Sequence, residues 1–343
     1  MKDASCSASP DPTGAHPAAH LKPPAPPWIT AGRWFLIAFS LYVFLVSIGL
    51  MGEGFNLFGK GFAEALIRTT ANPFVGLFVG ILYTSIIQSS STTTSMIVAF
   101  VASGTMTVEN AVPIVMGANI GTTVTGAIVS LGHMARREDF RRAYSAASVH
   151  DMFNLMAVIV FLPLELSFGI LSKSAAVLSR VLSGSTGLEF KSPLKVIVKP
   201  ASELLGDGIS SLMHMITGSG LALAIVTMII SVSLLAVSLV ALSKLLKILV
   251  ASRLEKVFNE SIGKNGYVGI LIGLVFTVIV QSSSVTTSLM VPLAAAGIMR
   301  LEQVYPVALG ANLGTTVTGL LAALATGCSA GLTIALAHTL FNL

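Results

Sequence analysis

The sequence predicts an all-α polytopic membrane protein made of two inverted repeats, each with a re-entrant helical hairpin and a broken transmembrane helix. Three observations carry this reading. Of 343 residues, 54% are apolar and only 10% charged, which excludes disordered chains and most soluble folds. The apolar runs are long and lack the alternation of a transmembrane barrel, so helices remain as the way to satisfy the backbone in lipid. The chain also repeats itself. Gln88-Ser89-Ser90-Ser91 returns as Gln281-Ser282-Ser283-Ser284, and Gly117-Ala118-Asn119-Ile120-Gly121-Thr122-Thr123 returns as Gly310-Ala311-Asn312-Leu313-Gly314-Thr315-Thr316. From Phe74 to Gly126 the chain aligns without a gap on Tyr267 to Gly319, with about half the positions identical. A third echo sets Ala147–Leu155 against Ala335–Leu343, matching His150 to His338 and Asn154 to Asn342. Repeats of this length fix the architecture before any element is read.

The elements follow in order. Residues 1–32 read as a disordered cytoplasmic tail, because Met1 to Pro27 is rich in Pro, Ala, Ser and His and poor in large apolar side chains. The tail lacks the apolar core of a signal peptide. Cys6 and Cys328, one in the tail and one near a helix end, are not expected to pair. Residues 33–171 form the first repeat. Trp34–Met51 is long enough to span, and Glu53–Thr70 alternates apolar and charged residues as an interfacial helix does. Phe74–Gln88 and Met96–Ala102 are each too short to cross, so they are read as the arms of a hairpin with Gln88–Ser91 at its tip. Val108–Leu131 can cross, but Gly117, Asn119 and Gly121 predict unwinding at its middle. Ala143–Leu166 crosses next, carrying His150, Asp151 and Asn154.

Residues 172–217 read as an extracytoplasmic linker, with Gly184-Ser185-Thr186-Gly187 and Lys191-Ser192-Pro193 as loop punctuation. Residues 218–343 form the second repeat: a span at Leu221–Leu242, an amphipathic segment at Lys244–Lys264, a hairpin at Tyr267–Ala296 and a broken helix at Glu302–Leu324. Gly331–Leu343 is too short to cross, and the natural chain is expected to continue beyond it. Each unit crosses an odd number of times, so the two should be inverted. A cytoplasmic N-terminus puts the Arg136–Arg142 loop inside, together with Lys244, Lys247, Arg253, Lys256 and Lys264. The net charge of +5 is therefore read as membrane orientation, and no nucleic-acid partner is expected.

The candidate chemistry rests on neutral oxygens. Apart from Arg300 at one hairpin's end, the hairpins and central helices carry no Lys or Arg, and no P-loop, metal-binding His/Cys set or nucleophile elbow appears. They carry instead the hydroxyls of both serine strings and of Thr92, Thr93 and Thr286, and the amides of Gln88, Gln281, Asn119 and Asn312. Half-helix N-termini suit an anion, and freed carbonyls suit a small hard cation. Ser and Thr also glue membrane helices together, but glue does not require the same polar string twice. Glu109 and Glu302, matched at helix starts, complement the dipole, and Pro113 and Pro306 are read as kinks. His150 and His338 could relay protons or satisfy a neighbouring helix's backbone, and Asn154 and Asn342 could reach ions or pack.

The paired Gln-Ser-Ser-Ser, Gly-Ala-Asn-x-Gly-Thr-Thr and Val149-His150-Asp151-x-Phe153-Asn154 motifs resemble those of the type II sodium/phosphate cotransporters, particularly bacterial members. The likeness covers both repeats and implies a secondary active transporter of the bacterial inner membrane, importing inorganic phosphate on the sodium gradient. By that resemblance Ser89, Ser90, Ser91, Ser282, Ser283, Ser284, Asn119 and Asn312 hold phosphate. Gln88, Thr122, Asp151, Asn154, Gln281, Ser282, Ser283, Thr315 and Thr318 hold sodium, a co-substrate, with no cofactor implied. Asp151, matched by Thr339, breaks the symmetry, and an ionisable residue inside a span is a functional candidate. In electrogenic members an acidic residue here helps hold an additional sodium ion, so charge-moving transport is expected; a structural pin is the alternative. Rival readings are a sodium-coupled carrier of dicarboxylate or sulfate, a channel-like pore, and an enzyme acting on lipid phosphates. The last lacks a general base or metal set.

Overall fold

The computed structural model describes residues 26–183, 193–216, 219–261 and 265–343. Most of the expected tail (Met1 to Ala25, with Cys6), the linker stretch Gly184 to Ser192 and Lys264 lie outside the described residues. All described elements are helices. The first repeat comprises α1 (Pro27–Leu57), α2 (Lys60–Thr70), α3 (Pro73–Ile87), α4 (Ser90–Ala102), α5 (Val108–Leu131) and α6 (Arg137–Phe168). Two helices, α7 (Ile170–Ser183) and α8 (Pro193–Ile216), occupy the segment read as linker. The second repeat comprises α9 (Gly220–Ser261), α10 (Gly266–Val280), α11 (Ser283–Ala295), α12 (Leu301–Thr326) and α13 (Ser329–Phe341). Five helices are long and apolar enough to cross a membrane, or up to six if the bent pair α2–α3 counts as one.

Local chemistry sets the boundaries. Pro27 opens α1 at the position where a missing N–H costs nothing, so the helix takes in residues assigned above to the tail. Gly59, at φ +78°, separates α1 from α2, dividing the single interfacial helix expected over Glu53–Thr70. Asn72 caps α3 by accepting from Phe74 N (3.0 Å), ahead of Pro73. Gly169 ends α6 in the left-handed region, and the Glu165 carboxylate accepts from Leu171 N (2.7 Å) and Ser172 N (3.2 Å) to start α7. In the second repeat no Gly or Pro interrupts the chain after Gly220 until Gly263. The amphipathic segment expected over Lys244–Lys264 is therefore a continuation of α9, not a separate helix.

Both short helix pairs fold back as hairpins. A continuous helix would separate residues nine apart by roughly 13 Å, yet the hydroxyls of Thr84 and Thr93 lie 2.8 Å apart. The matched hydroxyls of Thr277 and Thr286 lie 2.7 Å apart. Tyr83 on one arm also reaches Met96 Sδ on the other at 3.3 Å. Arms of 15 and 13 residues fall short of a hydrocarbon core about 30 Å thick.

The expected broken helices are not broken. Helices α5 and α12 run without interruption through Gly117–Gly121 and Gly310–Gly314. Their glycines serve packing instead. A Cβ on Gly117 would fall on the Leu77 carbonyl, and one on Gly80 on the Ile114 carbonyl. In the second repeat Gly310 meets the Ile270 carbonyl and Gly273 the Val307 carbonyl in the same way. Each hairpin's first arm thus lies backbone to backbone on the long helix that follows, the use of small residues four apart common in membrane bundles. Contact between backbones offsets the low helix propensity of glycine. Pro113 and Pro306 lie against Gly76 and Gly269 of the same arms, so they too take part in packing.

The repeats are interleaved. The second arm of the first hairpin, α4, packs on α12 and α13, whereas α11 packs on α5 and α6. One cavity is lined by the end of α4 (Ala99, Ser103), the end of α12 (Ala325, Thr326) and the C-terminal part of α1. Another is lined by the end of α11 and the starts of α6 and α12. The two hairpins therefore open toward opposite ends of the long helices, an arrangement consistent with inverted repeats.

Candidate functional site

The site is built on the hairpin tips. Among the described residues, Gln88 and Gln281 are the non-glycine positions with positive φ, at 58° and 55°. A left-handed L-residue costs roughly 1–2 kcal/mol, and both glutamines are held there in the same way. Gln88 Nε2 donates to Ser85 O at 2.5 Å, and its Oε1 accepts from Thr125 Oγ1 at 2.6 Å. Gln281 Nε2 donates to Val278 O at 2.6 Å, and its Oε1 accepts from Thr318 Oγ1 at 2.8 Å. Each glutamine thus ties its tip to the long helix of its own repeat.

The serine that follows caps the second arm. Ser89 Oγ accepts from Thr92 N (3.2 Å) and Ser282 Oγ from Val285 N (3.4 Å). Ser90, Ser91 and Ser283 are buried and Ser284 is half-buried. Among the described residues the hydroxyls of these four have no hydrogen-bond partner, although their neighbours Thr93, Thr286 and Thr287 bond the helix behind them. The first amides of α4 and α11 project from the same turns. Such helix starts carry partial positive charge and attract anions. The ends of α3 and α10, at the same tips, present carbonyls that suit a cation.

Behind the tips lies a buried amide–imidazole network that crosses between repeats. Asn312 on α12 donates Nδ2 to Asn154 Oδ1 on α6 (2.7 Å), so its Oδ1 is the acceptor for His150 Nε2 (2.6 Å). Asn119 on α5 donates Nδ2 to Asn342 Oδ1 (2.6 Å), and its Oδ1 faces His338 Nε2 on α13 (3.0 Å). Asn154 Nδ2 reaches the Asn119 carbonyl at 3.3 Å and joins the two triads. The histidines therefore bond amide side chains of the opposite repeat, not the backbone of a neighbouring helix as one reading held.

The predicted residues thus divide into groups. The serine strings and both glutamines cluster at the two tips, with Thr318 on the second. Asn119, Asn312 and Asn154 come together in the network, where their amides are engaged. Thr122 and Thr315 are buried, and each returns its hydroxyl to its own helix, at Ala118 O (3.0 Å) and Ala311 O (3.1 Å). Asp151 lies beside Thr123, and its Oδ1 is buried without a partner. Glu109 and Glu302 occupy the first turns of α5 and α12, where they complement the helix dipoles.

Sequence reading missed Thr125, the repeat mate of Thr318. It also missed Thr84 and Thr277, which fasten the hairpin arms by bonding Thr93 and Thr286. The ungapped repeat alignment held the signal for all three, since Thr84 and Thr125 recur as Thr277 and Thr318. No group of three or more potential metal-binding His, Cys, Asp or Glu residues occurs among the described residues.

Comparison with known proteins extends this picture. The family model described as Na+/Pi-cotransporter matches residues 43–186 and 234–343, which takes in both hairpins and the network. The sodium-dependent phosphate transport protein 2A of Rattus norvegicus is 35% identical over 370 residues, covering 88% of this chain and 58% of the relative. That of Ovis aries is 34% identical over 372 residues with the same coverage. The protein 2B of Homo sapiens is 31% identical over 398 residues, covering 91% of this chain and 58% of the relative. The chain thus spans somewhat over half the length of the curated relatives it matches. No solved structure matches it. With a family model matched on both repeats, the chain belongs to the Na+/Pi-cotransporter family.

Proposed function

We propose that this protein is a sodium-coupled importer of inorganic phosphate. One observation carries the reading: two repeat-related hairpin tips expose unpaired serine hydroxyls and helix-start amides within a buried core, with no cationic side chain among them. Such donors can hold a tetrahedral oxyanion, but an uncompensated charge at that depth is costly. Cations bound at the adjoining carbonyls would offset the charge, which is a physical reason for coupling to a cation, and the relatives' names point to sodium. Ser89–Ser91 and Ser282–Ser284 would supply the anion's hydrogen bonds. Gln88, Gln281 and Thr318, with Thr125 added, would shape the cation sites as sodium's ligands or their supports. Asn119 and Asn312, already engaged, frame the site and become ligands only if the network opens. Asp151 would hold a further sodium ion and make transport electrogenic.

The basic segment Arg136–Arg142, expected as a loop, is the cap and first turns of α6, and under the positive-inside rule its arginines support a cytoplasmic assignment for that face and for the N-terminus. Opposite opening of the hairpins supports inverted repeats, and alternating access would move the hairpins against α1 and α9. Sodium is a co-substrate here, no cofactor is invoked, and no enzymatic reaction is assigned. The relatives' names, sodium-dependent phosphate transport proteins, support the substrate class.

The test is uptake of radiolabelled phosphate into proteoliposomes under an imposed sodium gradient, with sulfate and succinate as competitors. Concentrative uptake that requires sodium and resists both competitors is expected. Uptake of sulfate or succinate in preference to phosphate sinks the substrate assignment. Equal phosphate flux without sodium favours a pore.

A further inference from the structure

We infer that the face of the protein bearing Arg136–Arg142, at the start of α6, holds a second anion site, a pocket for one phosphate group, separate from the hairpin tips. A cavity of about 420 Å³ lies between the start of α6 and the turn joining α11 to α12, lined by Arg141, Arg142, Ser145, Gly297, Arg300 and Leu301. Three guanidiniums and a hydroxyl line it, and among the described residues no carboxylate does. Arg141 pairs with Glu138 at 3.2 Å, but both side chains are largely exposed, so the pair is weak and exchangeable. Among the described residues Arg142 and Arg300 make no ion pair. Arg142 Nη1 sits 2.6 Å from where a Cβ on Gly297 would fall. Glycine at φ +72° therefore lets the guanidinium close over the turn.

Orientation in the membrane needs basic residues on one face, but it does not need them gathered on a cavity. Nor does the fold impose them. The repeat matches of Gly297 and Arg300 are Gly104 and Thr107, and extending the third echo upstream sets Arg141 and Arg142 against Ser329 and Ala330. The corresponding turn of the first repeat is thus neutral. Arginine forks bind phosphate oxygens in pairs, and an oxyanion held by several guanidiniums needs no sodium. That independence separates this pocket from the tips, where the anion depends on bound cations. The phosphate group could come from inorganic phosphate in solution or from the headgroup of an anionic lipid, since basic pockets between helices suit both.

The experiment uses the full chain in nanodiscs of phosphatidylcholine, in sodium-free choline buffer, with radiolabelled inorganic phosphate as the probe. Saturable sodium-independent binding is expected, weakening with added salt and falling about tenfold or more in R142Q/R300Q. R142K, which keeps the charge but loses the fork, should fall between. If a lipid headgroup is the occupant, phosphatidylglycerol stays with the wild type through purification, detected by native mass spectrometry, and is lost from R142Q/R300Q. Melting temperatures within a few degrees of wild type confirm that the variants fold. R141Q, one guanidinium removed at the exposed rim, provides a milder variant should the double one unfold. Neither sodium-independent phosphate binding nor lipid retention, or either one undiminished in the variants, overturns the inference. Intact binding here alongside failed sodium-driven uptake would sink the transport reading and leave this pocket standing.

Discussion

Replacing Gly310 with alanine should damage the protein far more than the added methyl suggests. The new Cβ would fall on the Ile270 carbonyl and lie 2.7 Å from Leu274 N, both backbone atoms of α10. No rotamer change can relieve that overlap, so α10 and α12 must separate by more than 1 Å to restore ordinary contact near 3.5–4 Å. Overpacking typically costs 1–3 kcal/mol, and a backbone-on-backbone clash belongs at or above the top of that range. Opposing it is the gain of alanine over glycine in a helix, about 1 kcal/mol. The expected balance is a loss of about 2 kcal/mol. Two controls isolate the cause. Gly126→Ala places its Cβ 3.4 Å from the Ala147 Cβ, an ordinary contact, and should be near neutral. Gly61→Ala meets nothing within 4 Å on exposed α2 and should stabilise by about 0.5–1 kcal/mol. Reversible unfolding in mixed micelles, followed by circular dichroism, reads all three. If Gly310→Ala unfolds like Gly126→Ala, the close approach of α10 and α12 is wrong.

Three further outcomes follow from the same geometry. Ser90→Ala or Ser283→Ala should raise the phosphate KM about tenfold or more while leaving the melting temperature near wild type, since a hydrogen bond to a charged group contributes about 1.5–3 kcal/mol; an unchanged KM removes that hydroxyl from the site. Asp151→Asn should reduce the charge moved per phosphate and the steepness of sodium activation, measured as current on a solid-supported membrane; identical current and steepness would make Asp151 a structural pin. Asn312→Leu strands His150 and Asn154 in the core and should cost about 1–3 kcal/mol per unsatisfied group. That loss is readable as a lowered unfolding midpoint, and an unshifted midpoint argues against the network.

Periodicity and repetition made most of this architecture legible. The hairpins could be read because arms of hydrophobic residues too short to cross flanked a polar string, and the serine clusters because they occurred twice. The glycines were misread. Gly117 and Gly121 are flexible by intrinsic propensity, but propensity says nothing of a facing helix, and contact with α3 decides that α5 stays whole. The same blindness to partners hid the role of the amides. Asn119 and Asn312 present donors and acceptors in the sequence, yet their partners are 223 and 158 residues away in the chain, on the opposite repeat. No local pattern carries such a pairing. Thr125 was available from the alignment, because its mate Thr318 had been picked out and the two are superposed by the repeat.

The crossing of the amide network bears on how such a gene could change after its duplication. Asn119 bonds His338 and Asn342, whereas Asn312 bonds His150 and Asn154, so each ancestral half carries the same three residues but supplies the partners of the other's asparagine. A substitution in one half must be answered by its cousin rather than by its own sequence neighbours. The two halves are thereby bound to drift as a couple, and a fragment carrying either alone should have no route to a satisfied interior unless it dimerises with a second copy of itself.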